Sequence, residues 1–192
     1  GVFVQRASER VYEAAYDVSG TDYAITELTG HIPEAGFPGI VRAAVQRQPE
    51  TRVHFVRSDG TVALMVLDRQ EEINCWVDIE TDGVIEDVCI LPGIGEDKVY
   101  YTVARTTGGI TQRFHERFSM ERECEGGTLN KQADSFVSGT GAGASITGLS
   151  HLEGRSIVCW ADGLDKGVFT VSGGSIPVEY TTGYVVGLSY TA

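Results

Sequence analysis

Carboxylates, histidines, cysteines and one glycine cluster are the groups with which this chain could do chemistry. Acidic pairs recur at turn positions: Glu71-Glu72, Glu86-Asp87, Glu96-Asp97, and Asp162 with Asp165. Two carboxylates on adjacent strands can cleave a glycosidic bond, one as acid and one as base or nucleophile. Oxygen-rich turns can hold Ca²⁺, but the D-x-D-x-D-G spacing is missing. These acids read as solvated hairpin turns. His31, His54, His115 and His151 are scattered, without H-x-H, H-E-x-x-H or Cys/His pairing. No metal site is expected from them, and they read as surface or turn histidines. His151, within Gly148-Leu-Ser-His-Leu-Glu-Gly154, reads as orienting a turn into the next strand. Cys75, Cys89, Cys124 and Cys159 form no C-x-x-C pair, so neither a zinc ribbon nor a thioredoxin motif is present. Two of them lie in apolar strand patterns and read as buried thiols, and such sparse use fits a reducing compartment.

Gly139-Thr-Gly-Ala-Gly143 superficially matches a dinucleotide loop, which requires a strand before it and a helix N-terminus after it. The following Ala144-Ser-Ile-Thr147 favours a strand instead. Ser145 has the wrong glycine spacing for a nucleophile elbow. No catalytic residue, cofactor-binding residue or metal ligand is therefore expected, and no enzyme activity. The candidate interaction residues are aromatic: Trp76, Trp160, Tyr180 and Tyr184, which could form a sugar platform or pack in cores. Arg42, Arg47, Arg57, Arg69, Arg105, Arg113 and Arg117 read as partners for the abundant acids on neighbouring strands.

The elements that carry these residues are strands joined by tight turns. Ser58-Asp-Gly-Thr61, Thr81-Asp-Gly-Val84, Thr107-Gly-Gly-Ile110, Ala161-Asp-Gly163 and Ser172-Gly-Gly-Ser175 are hairpin signals, because their central positions need positive φ. Ile40–Gln46, Arg52–Arg57, Thr61–Leu67 and Ile73–Glu80 group into a four-stranded meander of roughly 40 residues, the size of one propeller blade. Ile85–Leu91, Lys98–Arg105 and Ile110–Phe118 begin another; Phe3–Arg6 and Arg10–Tyr16 look like the end of an earlier one. Thr21 to Leu28 reads as a short helix near 21–30, with a cap-like Thr or Asp and an Ile25/Leu28 pair.

The expected fold is all-β: antiparallel meanders resembling partial β-propeller blades over 1–120, a Gly-rich linker over 121–143, and a small β-sandwich or barrel-like domain over 144–192. The chain enters inside an apolar strand without Met, which suggests a piece of a longer protein or a processed product.

Composition agrees. Hydrophobic residues are 42% of the 192, enough for a real core, and 24 glycines against 5 prolines suit many tight turns. A formal charge of −12 disfavours gripping a phosphate backbone. No apolar run is long enough to span a membrane.

A set of segments then carries a resemblance. Phe3-Val-Gln-Arg6, Arg10-Val-Tyr-Glu-Ala-Ala-Tyr-Asp17, Leu28-Thr-Gly-His-Ile32, Gln46-Arg-Gln-Pro49 and Val56-Arg-Ser-Asp-Gly-Thr61 come first. Trp76-Val-Asp-Ile-Glu-Thr-Asp-Gly83, Glu96-Asp-Lys-Val-Tyr-Tyr-Thr-Val103, Phe114-His-Glu-Arg-Phe118 and Gly148-Leu-Ser-His-Leu-Glu-Gly-Arg155 follow in order. Together they resemble the closing part of bacteriophage tail proteins of the nozzle or tail-accessory type. The resemblance implies a virion tail component, made in the bacterial host cytoplasm, that forms ring-like homo-oligomers with other tail proteins around a channel passing DNA. It implies no catalytic residue. The alternative is a carbohydrate- or receptor-binding β module.

Overall fold

The computed structural model describes residues 1–69, 71, 73–124 and 133–189 and divides into two compact units, Gly1–Val103 and Ala104–Ala192. The fold is all-β, built from antiparallel sheets, none of which closes into a barrel.

In the first unit, β1 (Val2–Val4), β2 (Val11–Asp17) and β3 (Asp22–Glu27) form one sheet in that order. β4 (Ile40–Gln46), β5 (Arg52–Arg57), β6 (Val62–Asp68) and β7 (Ile73–Ile79) form the expected four-stranded meander. β8 (Val84–Leu91) pairs with β9 (Lys98–Thr107), the strand in which the division between the units falls.

The meander is covered on both faces, because its two central strands are apolar on both. On one face Val53, Phe55, Ala63 and Met65 pack with Val11, Leu28 and Ile40. On the other, His54, Val56, Val62 and Leu64 are buried. β7 is the outer strand, and its apolar alternation points away from the core: Ile73 and Val77 are each 46% exposed, while Trp76 packs inward against Phe55. Arg57 of β5 reaches across β6 to Asp78 of β7 at 2.8 Å, tying the inner strand to the outer one.

The segment near 21–30 is not a helix. Ser19 donates both its N–H and its hydroxyl to the Asp17 carboxylate, at 2.9 and 2.6 Å, and the chain reverses into β3. Ile25 and Leu28 do not share a helix face: Ile25 is 66% exposed, while Leu28 is buried and donates its N–H to the Val11 carbonyl at 2.8 Å. Period-two alternation, Tyr23 then Ile25, matched against Tyr16 and Ala14 across the hairpin, outweighs the cap-like Thr21.

The second unit continues with β10 (Ile110–Arg117), which pairs with β9. Arg105 on β9 is 4% exposed and grips Glu116 on β10 through two hydrogen bonds, at 2.6 and 2.7 Å. β11 (Asp134–Thr140), β12 (Ile146–Thr147), β13 (Ser156–Ala161), β14 (Leu164–Thr170), β15 (Ser175–Ile176) and β16 (Gly183–Leu188) follow. Their sheets, β11-β16-β13-β14 and β12-β15, share one core of Ile146, Leu149, Ile157, Cys159, Ile176 and Val186. The turn from β13 to β14 has Asp162 at φ 56° and Gly163 at φ 73°, the backbone expected of an Asp-Gly hairpin.

The segment expected to be a glycine-rich linker, 121–143, is structured where it is described. Glu121–Cys124 is one helical turn, 125–132 lie outside the described residues, and β11 is hydrogen-bonded to β16. Two of its glycines, Gly139 and Gly143, serve close packing rather than looseness. A Cβ on Gly139 would lie 2.7 Å from the Tyr184 ring, and one on Gly143 would lie 2.8 Å from the Tyr180 ring. Gly139→Ala is expected to cost about 1–3 kcal/mol by forcing the Tyr184 ring aside. The measurement is a double-mutant cycle with Tyr184→Ser in thermal unfolding, where most of that cost should vanish once the ring is gone. An equal cost in both backgrounds would refute the packing role.

Candidate interaction surface

The four aromatics singled out from sequence do not converge. Trp76 lies in the first unit, stacked on Phe55 with ring centroids 5.6 Å apart. Its indole Nε1 is buried and finds no hydrogen-bond partner among the described residues, so it presents no polar handle outward. Tyr180 and Tyr184 do meet, edge to face at 4.8 Å, but both pack against the core of the second unit. Burial raises the Tyr184 hydroxyl above its ordinary pKa, with the neighbouring Tyr180 adding to the shift. Trp160, 44% exposed, pairs with Val185, while its neighbour Ala161 pairs with Tyr184. Successive residues of a strand face opposite ways, so Trp160 and Tyr184 lie on opposite faces of that sheet.

The histidines divide. His31 and His115 are exposed, as expected. His151 Nε2 donates to the Ser135 carbonyl at 3.1 Å, and the ring packs beside Phe114. His54 is not a surface histidine: it is fully buried. Its Nδ1 lies 2.6 Å from the Tyr101 hydroxyl and its Nε2 lies 3.2 Å from Gln46 Oε1. Gln46 is oriented by its own amide N–H, which donates to the Gln48 carbonyl at 2.8 Å. The network therefore sets the tautomer: Nε2–H donates to Gln46, and Nδ1 accepts from Tyr101. Desolvation, with Arg52 adding to it, pushes the imidazole down to about 4, and burial pushes the Tyr101 phenol up.

The carboxylates are also engaged internally. Asp97 accepts from the backbone N–H groups of Arg47, Gln48 and Gly93, and those bonds, the Arg47 N–H first, hold it below the usual carboxylate range. Asp162 accepts from the N–H groups of Thr181 and Thr182 and is lowered for the same reason. Among the described residues no three His, Cys, Asp or Glu side chains cluster as a metal site would need.

What sequence reasoning missed is an exposed aromatic face on the first sheet. Cross-strand pairing places Phe3, Tyr12 and Glu27 in one row, Ala14 with Ile25 in the next, and Tyr16 with Tyr23 at the tip. Phe3 stacks on Tyr12 at 5.7 Å, and Tyr16 meets Tyr23 edge to face at 5.4 Å. Phe3, Tyr16, Tyr23 and Ile25 are 44, 55, 68 and 66% exposed. The opposite face carries Val2, Val4 and Val11 into the core. The signal was present in the alternation of Tyr12, Ala14 and Tyr16, but the helical reading of the partner strand hid it.

No protein-family model matches this chain, and no curated protein does either. The surface and its chemistry therefore carry the functional reading.

Proposed function

We propose that the chain is a structural component of a bacteriophage or prophage tail, working through contact between subunits rather than through chemistry. One observation carries this reading: the buried His54, Tyr101 and Asp97 serve internal bonds, whereas large apolar side chains gather on one face of the β1–β3 sheet. The resemblance of the ordered segments to tail proteins of the nozzle or accessory type supports it. Other tail proteins and further copies of the parent chain are its partners, and its place is the virion tail after synthesis in the host cytoplasm. The charge of −12 suits a surface past which DNA slides without sticking. The test is immunogold labelling of purified particles from a host carrying the parent gene. Label at the tail is expected; a chain found only in the soluble fraction and never on particles would overturn the proposal.

A carbohydrate- or receptor-binding module is the second reading, favoured by the exposure of Trp160. A glycan array distinguishes the two. Binding that Trp160→Ala abolishes would support the second reading; its absence is expected.

A further inference from the structure

We infer that copies of this chain join head to tail through two sheet edges, the acidic β7 of one copy pairing antiparallel with the basic β10 of the next. The inference rests on the proposal that further copies are partners, and it names the surfaces by which they meet. Particle labelling tests the place in the virion and the association below tests the edges, so each can fail alone.

Both strands end a sheet: among the described residues β7 pairs only with β6, and β10 only with β9. The backbone phase of each is set by its neighbour. Leu67 N–H donates to the Thr51 carbonyl and Arg57 N–H to the Thr61 carbonyl, so the odd-numbered residues of β6 bond to β5. The even-numbered ones therefore bond to Ile73, Cys75, Val77 and Ile79, their register partners on β7. The backbone N–H and C=O groups of Asn74, Trp76 and Asp78 are left pointing outward. Next to β10, Gly108 and Gly109 at φ 60° and 82° make a two-residue hairpin, and the Thr106 and Thr111 hydroxyls meet across it at 2.9 Å. Alternation then turns the backbone groups of Thr111, Arg113, His115 and Arg117 outward.

Charge selects which edges meet. From Glu71 to Asp97 the sequence holds no lysine or arginine, and Glu71, Asp78 and Glu80 are exposed. The outward residues of β10 include Arg113 and Arg117 with His115 between them. Glu116, the one acid of β10, lies on the other face in the grip of Arg105. Two β7 edges would set acid on acid and two β10 edges base on base, which destabilises a strand pair. An acidic edge against a basic one is the favoured pairing, and it offsets locally the repulsion between copies that each carry −12.

The side chains agree with this pairing. With Asp78 opposite Arg113, Trp76 meets His115 and Asn74 meets Arg117. Asp78, whose side chain is 64% exposed, accepts from Arg113 beside its bond to Arg57. Arg117 keeps its bond to Glu123 and faces the neutral Asn74. On the other face Val77 and Ile73, both exposed, come against the half-buried Phe114 and Phe118. Main-chain hydrogen bonds supply the affinity of such strand addition, and alternate side chains its specificity. Because the two surfaces differ, association continues past a dimer until a ring closes or a fibre grows.

The test is sedimentation velocity of the full chain from low to high micromolar concentration. Species larger than a dimer are expected to grow with concentration. Arg113→Glu spoils the β10 edge, and Asn74→Pro removes an outward N–H of β7 without touching a bond to β6. Each should weaken association about tenfold or more. Arg6→Glu, an equal change of charge on an exposed turn, should leave it unchanged. Circular dichroism checks each fold, and Asn74→Lys replaces the proline variant if that one misfolds. Mixing Arg113→Glu with Asn74→Pro leaves one intact pair of edges, so a one-to-one dimer that grows no further is expected. A chain that stays monomeric throughout, an assembly of the unaltered chain that stops at a two-fold dimer, equal sensitivity to Arg6→Glu, or a mixture that does not pair would each overturn the inference.

Discussion

Replacing Phe55 with alanine is expected to cost about 3–5 kcal/mol, the largest loss from any single truncation in the first unit. Phe55 is 1% exposed and sits at the centre of β5. Its cross-strand neighbours are Ala43 on one side and Ala63 on the other. Two alanines have no flexible side chain with which to refill the space, so the cavity stays open and the cost falls toward the upper end. Trp76, stacked on the ring, loses its support. The unfolding midpoint in urea, followed by Trp76 fluorescence in a Trp160→Phe background, measures the loss at unchanged m-value. A shift worth less than about 1 kcal/mol would mean that the site collapses around the missing ring.

Stability should also fall by about 3 kcal/mol as pH drops from neutral to about 4, through His54. The imidazole titrates near its ordinary 6.5 when unfolded and at about 4 when folded. Above 6.5 both states are neutral, and His54 favours neither. Between the two values the unfolded chain takes up the proton and the native chain does not, so stability is lost as pH falls. Below about 4 both states are protonated and this group adds no further change. Asp97 and Asp162, held below the carboxylate range, lose their contributions only in a lower window. His54→Gln should therefore flatten the slope between pH 6.5 and about 4.5 while leaving the acid limb in place. Urea titrations at stepped pH measure this. An unchanged slope in the variant would show that another group sets the acid sensitivity.

Much of the fold was legible because its information is local. Ile40–Gln46 and Arg52–Arg57 are strands with the bounds their alternation and turn residues indicate. Asp162-Gly163 names its own turn. What failed was information held far away in the chain. Gly139 and Gly143 look like linker glycines until Tyr180 and Tyr184, some forty positions on, are laid over them. His54 looks like a surface histidine because Tyr101, its hydroxyl partner, is 47 residues distant. Thr21 to Leu28 satisfies a helical spacing and a strand alternation together, and only the register against β2 decides between them. The candidate surface shared that ambiguity. Trp76, Tyr180 and Tyr184 stand out by residue type but pack inward, and the exposure of Trp160 is matched or exceeded by Phe3, Tyr16, Tyr23 and Ile25, most of them on the β2–β3 hairpin.

His54 has one more consequence, which concerns how β5 finds its place. Val53 and Phe55 face one core and His54 faces the other. A strand apolar on both sides could slide by one residue with little loss of greasy contact, since valine and phenylalanine would merely exchange layers. The imidazole forbids this. A one-residue slip would carry it into the layer of Val11 and Met65, away from Gln46 and Tyr101, and would set an apolar ring against the Gln46 amide. A stranded polar group of this kind costs on the order of 1–3 kcal/mol at each end. The buried histidine thus works as an alignment key, giving the meander a single way to zip.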